Sequence, residues 1–415
     1  MKFVADLHIH SKYSRATSPQ MELSFLAETA KEKGILVLGT GDFTHPLWFD
    51  DLKTKLIEAE PGLFRLKENN SPTRFILTTE ISCIYSQGGG VRKIHIVLFA
   101  PGLSAVERIN TKLSAIGNLK ADGRPILGLS AKDLTKIALE ADENCFVVPA
   151  HIWTPWFAVF GSKSGFDSLE ECFEEYSKYI YAIETGLSSD PAMNWRLSAL
   201  DRLAIISCSD AHSPAKLGRE TCVFDTPLNY ASIISAVKNK NPKEFLMTTE
   251  FYPQEGKYHY DGHRSCSVRC SPQETKQYNG ICPVCSKPLV VGVLNRVEKL
   301  ADRPEGFKPE GAIPFRSLIP LQEIIAEALN CGVATKKTNE AYAQLIGQFE
   351  SEFNILLDVP VDDVKAAGFP SIAEAIKRMR EGRVHISPGY DGVYGKVSIF
   401  SESEKKDISG QKTLF

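Results

Sequence analysis

The sequence contains no long apolar run. Stretches such as residues 35–38 and 94–100 fall far short of the roughly 20 residues a membrane-spanning helix needs, so no membrane partner is expected. Charge of one sign is also missing. Against 48 Lys and Arg stand 51 Asp and Glu, a net charge of −3, which excludes a uniformly basic nucleic-acid coat but leaves room for a local basic channel. No apolar leader is apparent either: Met1-Lys2-Phe3-Val4-Ala5-Asp6 places charge where a secretory signal would be apolar, and a cytoplasmic monomer is the expectation. No internal repeat is visible. What is present is core material: 43% hydrophobic content over 415 residues suits roughly two to three domains. The ten cysteines do not read as a disulfide framework. Cys83, Cys145, Cys172, Cys208, Cys222 and Cys331 are scattered, mostly among apolar neighbours, while Cys266, Cys270, Cys282 and Cys285 cluster as metal ligands would in a reducing compartment.

Up to about residue 252, short β-branched runs (2–8, 35–38, 74–79, 93–99, 145–149, 179–184, 204–208 and 245–249) alternate with amphipathic stretches, the pattern of βα units in a mostly parallel sheet or barrel. Ser18, Pro19 and Gly34 bracket one predicted helix, and Ser130 opens another. Residues 253–305 are polar and carry the clustered cysteines. Residues 306–400 begin with an irregular Pro- and Gly-rich connection, regain helical periodicity and end in strands and turns, so a mainly helical domain is expected. Residues 401–415 form a polar, charged tail expected to be mobile.

The histidines carry the strongest chemical signal. Six of nine fall at the C-terminal ends of predicted strands, together with carboxylates: Asp6, His8 and His10; Asp42 and His45; Glu80; His95; His151; Glu184; Asp210 and His212. In a barrel these ends converge on one face. A single such histidine is ordinarily a hydrogen-bonded core residue, but so many at the same strand end point to ligands for two or more divalent ions. In His8-Ile9-His10 the strand period of two aims both rings the same way, and Asp210 and His212 repeat the geometry.

These motifs, Asp6-Leu7-His8-Ile9-His10, Gly41-Asp42-Phe43-Thr44-His45, Thr79-Glu80-Ile81, His95, Pro149-Ala150-His151 and Ser209-Asp210-Ala211-His212, resemble the polymerase and histidinol phosphatase (PHP) domain. The resemblance implies an α/β fold, a distorted seven-stranded βα barrel with two or three metals. His8, His10, Glu80 and Asp210 would hold one, and Glu80, His95 and His151 a second, with Glu80 bridging. The family's usual third-site residues are replaced by Arg15 and Phe43; Asp42, His45 and His212 are the remaining candidates. Paired Zn, Mg or Mn ions at such a site suit phosphoester hydrolysis.

Cys266-x3-Cys270 and Cys282-x2-Cys285 read as the two knuckles of a four-thiolate structural zinc ribbon. Basic residues around it (Arg264, Arg269, Lys276, Lys287, Arg296, Lys299 and Arg303) and from Lys377 to Arg383 track phosphates or form a solvated face. Trp153 and Trp156, beside His151, are candidate walls for a flat base. Asp190, Asn194 and Arg196 are candidate substrate contacts, with helix capping the alternative for Asp190.

The order of barrel, ribbon and helical region resembles the endonuclease Q family of repair nucleases. This implies cleavage 5′ of deoxyuridine, deoxyinosine, deoxyxanthosine or an abasic site, with base flipping. Gln411-Lys412-Thr413-Leu414-Phe415 resembles a sliding-clamp (PCNA) binding box through Gln411, Leu414 and Phe415. A phosphomonoesterase of the histidinol phosphatase kind and a non-enzymatic DNA-binding adaptor are the competing readings.

Overall fold

A computed structural model describes residues 1–68, 71–401 and 403–405, so Gln411, Leu414 and Phe415 lie outside the described residues. The strands are β1 (Lys2–Asp6), β2 (Ile35–Gly39), β3 (Leu56–Glu60), β4 (Leu63–Leu66), β5 (Arg74–Gln87), β6 (Gly90–Ala100), β7 (Ile126–Leu127), β8 (Phe146–Pro149), β9 (Ala182–Glu184), β10 (Ala204–Ile206), β11 (Thr221–Asp225) and β12 (Phe245–Glu250). β1 pairs in parallel with β2, β2 with β5, and β9 with β10.

The expectation of a mostly parallel sheet fails elsewhere: β5–β6, β6–β8, β1–β11 and β11–β12 are antiparallel. One cause is local. Gly88 and Gly89, at φ 61° and 76°, supply the two positive-φ positions of a tight hairpin. The segments read as separate strands at 74–79 and 93–99 are therefore parts of two long arms in register from Gln87↔Gly90 to Leu77↔Ala100. The result is a mixed α/β fold around a central sheet.

The strand ends still converge. Asp210 N–H donates to His8 O (2.9 Å), His10 N–H to Ala211 O (3.0 Å) and Ile152 N–H to Glu184 O (3.0 Å), lacing together the loops that follow β1, β8, β9 and β10.

The first predicted helix runs Leu23–Lys33 and ends on Gly34 at φ 84°. It starts later than Ser18 and Pro19 suggest: Ser18 to Met21 form a turn closed by Met21 N–H on Ser18 O (3.0 Å), and Met21 O accepts from Lys12 N–H (3.0 Å). Ser130 caps Ala131–Ala141 as expected, accepting from Asp133 N–H at 3.0 Å. No helix among the described residues is long and apolar enough to cross a membrane.

The seven-stranded barrel expected from the sequence is not what the pairing forms, since β9 and β10 make a sheet of their own; beyond it, β13 (Asp261–His263) and β14 (Val268–Cys270) form a small hairpin, and β15 (Phe315–Ser317) adds to β12 in the main sheet. Helices Leu321–Ala328, Lys336–Phe349, Val361–Ala366 and Pro370–Arg380 follow, then β16 (His385–Ser387) with β17 (Lys396–Ser398). These helices share an apolar core with the helix that follows β1: Leu321, Ile324, Phe353 and Ile372 belong to the same buried cluster as Leu26 and Ala30. Each of these Leu, Ile and Phe side chains contributes about 1.5–3 kcal/mol by leaving water. A buried Lys33–Glu352 ion pair at 3.2 Å fastens the same junction.

Candidate metal centre

Two ligand groups form at the converging strand ends: His8, His10, Glu80 and Asp210, and Glu80, His95 and His151. In each, one ligand atom per residue lies within 4.8 Å of the others. Glu80 divides its oxygens between them. Oε2 is 3.2 Å from His10 Nε2, whereas Oε1 is 2.7 Å from His95 Nδ1 and 3.1 Å from His151 Nε2.

The first group fits a cation on its own hydrogen bonding. A carboxylate only accepts, so the His8 Nδ1–H donates to Glu184 Oε1 (2.9 Å) and the His10 Nδ1–H to Asp42 Oδ1 (3.0 Å). Both Nε2 lone pairs then face inward. His8 Nε2, His10 Nε2 and Asp210 Oδ1 are buried without a hydrogen-bond partner, and His10 Nε2 meets Asp210 Oδ1 at 3.0 Å. Once His10 Nε2 gives up its proton, acceptor faces acceptor at that distance, an arrangement a divalent ion resolves.

Burial alone would raise Glu80, yet its close contacts with His95 and Arg124 and the hydrogen bonds of His10 and His151 hold it well below the usual carboxylate range. Burial would lower His8 and His10, but Glu184 and Asp42 hold them well above the ordinary imidazole value. His95 is pushed down to about 4, chiefly by burial.

Asp42, predicted as a ligand, joins neither ligand group. Its Oδ2 accepts from Ser11 N–H (2.6 Å), Ser11 Oγ (2.7 Å) and Ser14 Oγ (2.8 Å) and its Oδ1 from His10, which makes it a support for that ring. His45 stacks on Tyr13 with centroids 4.4 Å apart. The His212 Nδ1–H is committed to Asp210 O at 2.8 Å. Neither joins a ligand group, and no third group occurs here among the described residues. Asp6 accepts from Ser209 and Gly218 N–H groups (3.0 and 2.9 Å) and is likewise a support.

Backbone strain marks the same place. Asp42, His151 and Asp210 adopt φ of 53°, 30° and 47°, a region costing non-glycine residues about 1–3 kcal/mol. Gly186 packs so closely that an added Cβ would lie 2.3 Å from His151 Cβ.

Glu184 is visible in the sequence as a strand-end carboxylate without a role; in the fold it holds His8 and also accepts His151 N–H at 2.8 Å. Metal binding must displace protons from His8 and His10, so affinity is full above their raised pKa values and falls as pH drops through them. Glu184→Gln and Asp42→Asn are each expected to weaken metal binding about 10- to 100-fold. Calorimetry in buffers of different ionisation enthalpy checks this, and binding without proton release in the wild type contradicts it.

The ribbon cluster differs from expectation by one residue. His263, Cys266, Cys282 and Cys285 form the ligand group, with His263 Nδ1 3.5 Å from Cys285 Sγ. Cys270 is not in it. It lies opposite Asp261, at the other end of the hairpin from the His263↔Val268 pair, and packs in an apolar patch with Cys282 and Leu289. The signal for the group that the fold brings together is the spacing His263-x2-Cys266, identical to Cys282-x2-Cys285.

The expected substrate contacts are mostly internal. Trp153 is fully buried and donates from Nε1 to Asn194 Oδ1 at 2.8 Å. Asp190 caps the turn Pro191–Asn194 by accepting Met193 N–H (2.8 Å), and Arg196 pairs with Glu298 at 2.6 Å. Arg296, Arg303 and Arg380 are similarly occupied, by Asp167, Asp201 and backbone carbonyls respectively. Trp156 alone among the five lesion candidates is open, 52% exposed. It lines a cleft of about 570 Å³ with Thr154, Leu187, Tyr258, Val291 and Tyr394, between the loops after β8 and β9 and the ribbon. Thr154 Oγ1 is 3.0 Å from His151 Nδ1, which places the cleft beside the second ligand group.

Residues 320–383 match the family described as the MJ0043 C-terminal domain. The chain is 32% identical over 268 residues to protein MJ0043 of Methanocaldococcus jannaschii, spanning about a third (31%) of that protein's length. It is 27% identical to YqxK of Bacillus subtilis, over 95% of this chain and 99% of that one. Among solved structures it superposes on the lesion-specific endonuclease Q of Pyrococcus furiosus with a TM-score of 0.86, 31% identity and full (100%) coverage of both chains. An endonuclease Q bound to a 27-mer duplex with an abasic lesion at the active site gives 0.84 and 31%, covering 97% of this chain and 98% of that one. With that identity carried along its whole length, this chain belongs to the endonuclease Q family.

Proposed function

We propose that the protein cleaves duplex DNA at the phosphodiester 5′ of a deaminated base or an abasic site, after turning the damaged nucleotide out of the stack. The observation that carries this reading is the pair of ligand groups sharing Glu80, one hydrogen bond away from a cleft sized for a nucleoside. The likeness to an endonuclease Q complexed with an abasic duplex supports it.

His8, His10, Glu80 and Asp210 would hold one divalent ion, and Glu80, His95 and His151 the other. Bound there, the pair supplies a nucleophilic water near neutral pH and neutralises charge on the phosphoryl oxygens. The chain supplies orientation. Glu184 and Asp42 fix the two imidazoles in the tautomer whose Nε2 faces Glu80 and Asp210 in the first ligand group, and Thr154 fixes His151. The Trp156 ring, with Lys93 Nζ 5.5 Å over it, offers a face on which an extruded base stacks. The ribbon cluster, as a structural zinc site, would hold Tyr258 and Val291 in place as the opposite wall of the cleft. The tail with Gln411, Leu414 and Phe415 supports, on sequence alone, attachment to a sliding clamp.

The test is incubation with Mg²⁺ or Mn²⁺ and end-labelled duplexes carrying deoxyuridine, hypoxanthine, xanthine or an abasic site. The expected product is a nick 5′ of the lesion with 3′-hydroxyl and 5′-phosphate ends, and undamaged duplex should remain intact. Trp156→Ala should weaken binding of base-bearing lesions by about 1–3 kcal/mol while leaving metal loading unchanged. Equal cleavage of damaged and undamaged duplex would overturn the reading.

A further inference from the structure

Arg124 enters the centre from a loop that carries no metal ligand. Its Nη1–H donates to Glu80 Oε2 at 3.0 Å, the oxygen that faces the first ligand group. This is the one side-chain hydrogen bond Arg124 makes among the described residues. Most of its donors are therefore uncommitted, and the side chain is 27% exposed. Glu80 itself is fully shielded, so the guanidinium stands at the boundary between the buried ligands and solvent.

The loop is built to hold that position. Gly123 N–H donates to Tyr13 O (3.0 Å) and Pro125 O accepts from Ser82 N–H (3.0 Å), which fastens both flanks of Arg124. Asp122 Oδ1 accepts from the backbone N–H groups of Arg15 (3.2 Å) and Arg124 (3.1 Å). Gly123 lies so close to the support of His10 that an added Cβ would meet Asp42 Oδ2 at 2.3 Å and Ser14 Oγ at 2.4 Å. A loop pressed this tightly against the ligand framework delivers one cation to it.

A planar guanidinium with spare donors, fixed beside metal ligands at the solvent edge, has the fork geometry that grips phosphate oxygens. We infer that Arg124 is a substrate-contacting residue whose free donors grip a non-bridging oxygen of the scissile phosphodiester alongside the Glu80 centre. This rests on the nuclease reading of the same site. The contact strengthens as negative charge accumulates on phosphorus during attack, so Arg124 stabilises the transition state more than the bound substrate.

The test is a double-mutant cycle read by binding. Lesion duplexes with either a normal scissile phosphodiester or a neutral methylphosphonate there are titrated by fluorescence anisotropy into wild-type, Arg124→Ala and Arg124→Lys protein, with metal content measured in parallel. In the wild type the neutral linkage should weaken binding by about tenfold or more, the scale of a charge-assisted hydrogen bond. In Arg124→Ala that penalty should shrink several-fold, and Arg124→Lys should fall between. On the normal duplex kcat should drop more than KM rises. An equal methylphosphonate penalty in wild type and Arg124→Ala overturns the inference. So does reduced metal content in Arg124→Ala with cleavage fully restored by excess metal, because Arg124 would then only neutralise Glu80. Failure of the nuclease reading looks different: the wild type itself would neither prefer nor cut the lesion duplex.

Discussion

Glu80→Gln should lower lesion-directed cleavage by about 10³-fold or more while the protein remains folded. The amide keeps the shape of the carboxylate but removes the charge on which both ligand groups depend. In the native chain Oε1 serves His95 and His151 and Oε2 serves His10 and Arg124, so this one residue sits in both metal sites. Losing it weakens the second ion, leaves three ligands for the first and frees the Arg124 cation. A loss of about 4 kcal/mol in charge stabilisation at phosphorus, the upper range for a single electrostatic group, is about 10³ in rate. Single-turnover cleavage at saturating Mn²⁺, with metal content and thermal unfolding measured on the same sample, checks it. A Glu80→Gln protein that binds both ions and cleaves within tenfold of wild type would show that Glu80 does not join the two groups. Should Gln destabilise the buried site, Glu80→Asp keeps the charge on a shorter arm and should lose activity chiefly through the ion held by His95 and His151.

The ligands themselves were legible in the sequence because metal chemistry restricts residue type and the strand period restricts spacing. Core packing alone gives no reason to set His8 and His10 two apart and then to place His95, His151 and Asp210 at later strand ends. What could not be read is which carboxylate binds the ion and which binds the ligand. Asp42 and Glu184 are both strand-end acids, and both turn out to support imidazoles. Ångström-scale placement decides that, not composition. Loop residues were harder still. Trp153 and Trp156 lie three residues apart in one aromatic loop, yet one is sealed against Asn194 while the other is open, because the loop folds back and only one ring can enter the core. The antiparallel β5–β6 arm was in principle readable from the consecutive glycines 88–90, whose turn demands a hairpin; the βα rhythm on either side obscured it. Arg124 had no signal at all, since its role comes from a loop folded against residues that are distant in sequence.

The ribbon should unfold without its metal, and His263 rather than Cys270 should be its fourth ligand. Among the described residues its dry core consists of little more than Cys270, Cys282 and Leu289, far too little to offset the entropy of ordering the module. Structural zinc in such modules contributes about 10–16 kcal/mol at neutral pH, and its thiolates must be deprotonated to bind it. Cys282→Ser and His263→Ala should therefore each cost the protein one zinc and expose the hairpin and its knuckle to proteases. Cys270→Ala should keep the zinc and lose only the packing of one small buried side chain. The effect should extend to substrate, because Tyr258 and Val291, on the wall of the Trp156 cleft, flank the module: zinc-depleted protein should bind lesion duplex weakly while the Glu80 centre still loads Mn²⁺. Zinc stoichiometry by mass spectrometry and limited proteolysis decide the ligand set. Full zinc in His263→Ala together with its loss in Cys270→Ala would restore the four-cysteine arrangement.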